Sequence, residues 1–109
     1  MMTSQYDSAS HTLTFVFSGS MDTVQSNADA GAVSAALAKV MATQPAALDK
    51  PLQAVFDLKA VDFVSSAFFR ICLGTAKQMR KGNFLVANAR PAVTQLFKIA
   101  GMDEFIAAL

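Results

Sequence analysis

Polar and apolar residues alternate over Thr12-Leu13-Thr14-Phe15-Val16-Phe17, and the run is β-branched and aromatic, which predicts a strand. Residues 4–7 predict a shorter strand that pairs with it through a turn at Ser8-Ala9-Ser10-His11, and Gly19 is read as the break after it. The period then changes. From about residue 27 to 43 the chain is rich in Ala, Leu, Val, Met and Lys, mostly good helix formers. Val33, Leu37, Val40 and Met41 recur there at helical spacing as a buried stripe, and Gln44-Pro45 closes the helix because proline cannot continue it. Residues 52–58 read as a second, largely buried strand. A helix then follows Ser65 to about Lys81, with Phe69, Cys72, Leu73, Ala76 and Met79 or Arg80 on one face and Gly82 as its breaker. Phe84-Leu85-Val86-Ala87 predicts a third buried strand. Ala89-Arg90-Pro91 opens another helix with proline near its first position; Val93, Leu96, Phe97 and Ala100 form its stripe and Gly101 its end. Residues 102–109 add a last helical turn or two.

The order is β-β-α-β-α-β-α. Two buried strands flanking a helix of about four turns are the signature of a βαβ crossover with parallel strands. The expected fold is α/β, a small mixed and mainly parallel sheet with helices packed on it, and residues 1–109 form a single domain.

Composition narrows the function. Of 109 residues, 53% are hydrophobic and 16% charged, enough for a core and unlike a disordered chain. A net charge of +1 gives no electrostatic case for nucleic acid. Lys77, Arg80 and Lys81 sit at a predicted helix C-terminus, where the macrodipole accounts for them. Apolar runs fall far short of the about 20 residues that span a bilayer, so no membrane insertion is expected. The start of the chain has no basic head or apolar region of a secretory signal. Cys72 is the only cysteine and is read as a small core hydrophobe; a lone thiol suits a reducing cytosol, and a cytoplasmic location is expected.

Catalytic and metal chemistry find little support. No two of the five glycines fall at phosphate-loop spacing. His11, the only histidine, lies in a predicted hairpin turn and is read as solvated. A triad of Ser66, His11 and one of Asp22, Asp57 or Asp62 lacks a nucleophile elbow, and one Cys with one His is a poor metal set. The chain is read as a binding or signalling module, not an enzyme, with no cofactor.

The segment Val61-Asp62-Phe63-Val64-Ser65-Ser66-Ala67-Phe68-Phe69-Arg70 runs from a strand through two serines into a helix. A serine there caps the first turn, and the electropositive helix start also suits an added phosphate. Both readings stand on the segment alone.

With that order, four motifs resemble one family: Gly19-Ser20-Met21-Asp22; Val55 to Ala67; Asn88-Ala89-Arg90-Pro91-Ala92-Val93; and Leu96 to Met102. Together they look like a STAS domain, specifically an anti-sigma factor antagonist (anti-anti-sigma factor). The resemblance implies that a serine kinase of the histidine-kinase ATPase type, itself the anti-sigma factor, phosphorylates one serine at the start of the helix after the second parallel strand. It implies that a PP2C-type phosphatase reverses this. Aligning Ser65-Ser66-Ala67-Phe68-Phe69-Arg70 on the family variant Ser-Ser-Ala-Gly-Leu-Arg places the acceptor at Ser66, with Ser65 as second choice. Asp22, with Met21, falls on the family's loop near the acceptor and is expected to touch the partner. Phe68 stands where the family has glycine. On a helical wheel Phe68, Ile71 and Thr75 fall towards the flank, which gives either an apolar partner patch beside Ser66 or packing at the rim of the core. The same family includes scaffolding members, in stressosome-like assemblies or beside lipid-transport ATPases, where Ser66 would be only a cap, and members that bind nucleotide or lipid.

Overall fold

The computed structural model describes residues 2–43, 52–79 and 83–106. The chain forms strands β1 (Met2–Asp7) and β2 (Thr12–Met21), helix α1 (Thr23–Thr43), strand β3 (Gln53–Val64), helix α2 (Ser66–Gln78), strand β4 (Phe84–Ala87) and helix α3 (Pro91–Ile99), then a 3-10 turn at Asp103–Phe105. The four strands make one sheet in the order β1-β2-β3-β4, antiparallel between β1 and β2 and parallel across the other two pairs. This is the mixed α/β fold that the alternation predicts.

The strand pattern decides which face is dry. Leu13, Phe15 and Phe17 of β2, Ala54, Phe56 and Leu58 of β3, and Phe84 and Val86 of β4 are buried, while the residues between them are half-buried. The register sets Leu13 beside Ala54 and Phe15 beside Phe56, so these side chains line one face. Val33, Leu37 and Val40 of α1 belong to the same core, as expected; Met41 does not, being 39% exposed. Phe17, Phe56 and Phe84 pack edge to face in pairs through Phe56, with ring centroids 4.9 Å apart in each pair. Such contacts add about 0.5–1.5 kcal/mol each to the burial of the rings.

Gly19 does not break the chain. β2 continues through it to Met21, and β3 runs six residues past the predicted end at Leu58. Register shifts between Val16 and Ser18 and again between Gly19 and Ser20 leave two extra residues in β3. Each bulge inserts a residue, so burial in β3 recurs at Leu58, Val61 and Val64 and the alternation is lost. Gly19 sits at φ +83°, a conformation glycine adopts without steric cost. The bulged ladder brings Met21 and Val64 into register at the strand ends, and α1 and α2 leave from there.

Two further expectations change. His11 is 7% exposed, not solvated: its Nδ1 is hydrogen-bonded to the Tyr6 hydroxyl, and its backbone oxygen accepts a bond from the Gln53 N–H at 3.0 Å. The helix predicted from residue 27 begins four residues earlier, at Thr23. The end of α3 is as expected. Gly101, at φ +73°, donates to the Lys98 carbonyl and Met102 to that of Phe97, the paired bonds of a Schellman motif. The terminal helical turns reduce to the 3-10 turn, after which Ile106 bridges Val86. Helix α2 ends at Gln78, three residues before the predicted end at Lys81, because Met79 is already extended. The predicted helix end at Gln44-Pro45, the breaker Gly82 and residues 107–109 lie outside the described residues. Among the described residues no helix is long and apolar enough to cross a membrane.

Candidate functional site

Because β2 and β3 are parallel neighbours, the helices that follow them start side by side. Asp22 precedes α1, and its Oδ1 accepts from the Gln25 N–H at 2.8 Å while its carbonyl accepts from Ser26. That is an N-cap bond, worth about 1 kcal/mol. The Met21 carbonyl accepts from the Ser65 N–H at 3.0 Å and from the buried Ser26 hydroxyl at 3.2 Å. These bonds lock the entry to α2 onto the entry to α1. Through Met21 the backbone of Ser65 is thus tied to the turn that carries Asp22, and Ser66 follows as the next residue.

The two serines differ. Ser65 occupies the N-cap position of α2, with its carbonyl accepting from the Phe68 and Phe69 N–H groups, but its hydroxyl makes no cap bond. Ser65 Oγ is buried without a partner among the described residues. Ser66 is the first helical residue and is exposed. The capping bond that the sequence suggests at this turn is therefore not made in α2, whereas α1 is capped by the Asp22 carboxylate.

Phe68 is not a surface residue. It is 0% exposed, and its ring meets Phe17 edge-on at 5.1 Å and Phe56 at 5.9 Å. Met21 is likewise 0% exposed, so neither side chain offers a partner contact. The buried residues of α2 are Ala67, Phe68, Cys72 and Thr75, a stripe rotated by roughly a third of a turn from the face read from sequence. Thr75 explains the shift: its hydroxyl donates to the Ile71 carbonyl at 2.8 Å, so a polar residue is buried with its hydrogen bond satisfied. Leu73, placed inside by its apolarity, is 43% exposed. Ile71 is half-buried and lines a groove of about 240 Å³ between α1 and α2, with Asn27, Ser34, Arg70 and Gln78.

Two apolar residues beside the helix starts escaped the sequence reading. Val24, in the first turn of α1, is 79% exposed, and Phe63, two residues before Ser65, is 44% exposed. Val24 was legible: the stripe of Val33, Leu37 and Val40 extends back to Ser26, which is fully buried, and Val24 lies on the opposite side of the helix. Phe63 was hidden by the bulge.

The STAS domain model matches residues 3–109. The chain belongs to the STAS family. The fold of this STAS domain is that of solved anti-sigma factor antagonists. One from Planctomyces limnophilus superposes with a TM-score of 0.76 at 16% identity, over 98% of this chain and 88% of that one. One from Mycobacterium paratuberculosis gives 0.70 at 25% identity, over 97% and 83%. Unphosphorylated SpoIIAA gives 0.73 at 15%, over 98% and 86%, and SpoIIAA, a Bacillus cell fate determinant, is also solved phosphorylated. No curated protein sequence matches the chain.

Cys72 lies under this surface, in the core. Burial pushes its thiol far above the ordinary range, opposed only by a backbone hydrogen bond. The thiolate is the reactive form. A thiol reagent at pH 8 is therefore expected to label Cys72 only when the STAS domain opens, at least a hundredfold more slowly than in denaturant. Equal rates in both conditions would contradict the burial.

Proposed function

We propose that this STAS domain is a phosphorylation-switched anti-sigma factor antagonist. Unmodified, it binds a serine kinase/anti-sigma factor of the histidine-kinase ATPase type through the surface around Ser66, Asp22 and Ile71. Phosphate on Ser66 releases that partner, and a PP2C-type phosphatase restores binding. The observation that carries the reading is the contrast between the serines: Ser66 presents an exposed hydroxyl beside the Asp22 cap, whereas the Ser65 oxygen is buried. Ser66 is thus preferred over Ser65 as acceptor. The existence of SpoIIAA in both phosphorylation states supports a switch on this fold. Val24 and Phe63 supply apolar contact in place of Met21 and Phe68.

Incubation with ATP and the kinase of its own genome should add one phosphate to the intact protein, read by mass, and Ser66→Ala should abolish the gain. If Ser66→Ala is modified at the wild-type rate, the assignment of Ser66 fails. A wild-type protein that binds its partner yet never gains a phosphate would favour the scaffolding reading instead.

A further inference from the structure

We infer that Arg70 is the internal partner of a phosphate on Ser66, so that modification removes a free cation from the surface as well as adding negative charge. The inference rests on the proposed modification of Ser66 and assigns a role to a residue outside that reading.

Ser66 and Arg70 are four residues apart on α2 and both are exposed. At that spacing side chains are neighbours, with Cβ atoms roughly 5–6 Å apart. Helical side chains lean towards the N-terminus, so the Arg70 stem slants back over the turn that carries Ser66. An anion N-terminal to a cation at this spacing is also the favourable order. Arg70 is unclaimed: among the described residues it has no hydrogen bond or ion pair. Arg90, by contrast, is tied down, its Nε donating to the Lys59 carbonyl at 2.9 Å.

Helix α2 contains no Asp or Glu. On α1, Asp22 is engaged in its cap and Asp29 accepts from the Gln25 side chain at 3.0 Å. Lys77, the next cation of α2, is seven residues on, about 10 Å along the axis. Unmodified, Arg70 lines the groove between α1 and α2, where its guanidinium is available to a partner's carboxylate. A phosphate with about −1.5 to −2 charges and three acceptor oxygens outcompetes that contact from within the same helix.

Phosphoserine inserted at position 66 during translation tests this without any kinase. Phosphorus NMR then follows the second phosphate pKa in the otherwise wild-type protein, in Arg70→Gln and in Lys77→Gln. A cation paired with the dianion lowers that pKa. The wild type should titrate about 0.3 units or more below Arg70→Gln, and Lys77→Gln should match the wild type. Arg70→Lys should recover part of the shift. Equal values in wild type and Arg70→Gln, or an equal shift from Lys77→Gln, would overturn the pairing. If the pair is seen but the kinase leaves Ser66 unmodified, the pairing stands and the functional reading falls. A kinase that modifies Ser66 in a protein with no Arg70 effect gives the reverse.

Discussion

Replacing Phe68 by glycine is expected to cost about 4–6 kcal/mol. Removing a buried phenylalanine ring to alanine costs about 3–5 kcal/mol. The further step to glycine inside a helix adds roughly 1 kcal/mol. Phe68 is 0% exposed and packed between Phe17 and Phe56, so no water-exposed rearrangement absorbs the loss. Since domains are stable by only about 5–15 kcal/mol, Phe68→Gly should be largely unfolded at moderate urea, and Phe68→Leu should lose about 1.5 kcal/mol or less. Urea titrations followed by circular dichroism measure both. Equal midpoints for Phe68→Gly and wild type would mean that the ring does not support the core.

The second large effect concerns Ser66. Phosphate there should weaken partner binding by more than a hundredfold, equivalent to about 3 kcal/mol, by placing a desolvated charge in the interface. Ser66→Asp supplies one charge and should give at least a tenfold loss. Its fold should remain intact, because negative charge in the first turn of a helix is favourable by about 0.3–1 kcal/mol. Calorimetric titration of the partner, paired with thermal melts, separates the two quantities. A Ser66→Asp protein that melts well below wild type would make the switch an unfolding event; one that binds at full affinity would remove the switch.

Most of the fold was legible because the sheet obeys simple alternation. Leu13, Phe15 and Phe17 announce one buried face, and the periods of α1 and α3 follow from their apolar stripes. The reading failed where a local device overrode the period. Two bulges in β3 turned a period of two into one of three, which concealed the strand beyond Leu58 and the exposure of Phe63. A self-satisfied threonine rotates α2, so Phe68 is central and Leu73 peripheral, the reverse of what apolarity alone predicts. His11 was misplaced because its burial depends on Tyr6 across the hairpin. At the candidate site, the proximity of Asp22 to the serines was implied by the resemblance to the family alone, and the bonds of the Met21 carbonyl to Ser65 and Ser26 account for it. The separation of Ser65 from Ser66 was not legible, since it depends on which side of one peptide faces the core.

The margins of the sheet have a consequence of their own. β1 forms one edge, and its Thr3, Ser4 and Gln5 are polar and exposed. β4 forms the other edge, but it is only four residues long, and Ile106 already lies against Val86 there. A short, partly covered ladder on one side and a polar one on the other give a foreign strand little to extend. Aggregation by strand addition is thus discouraged at both ends of the sheet.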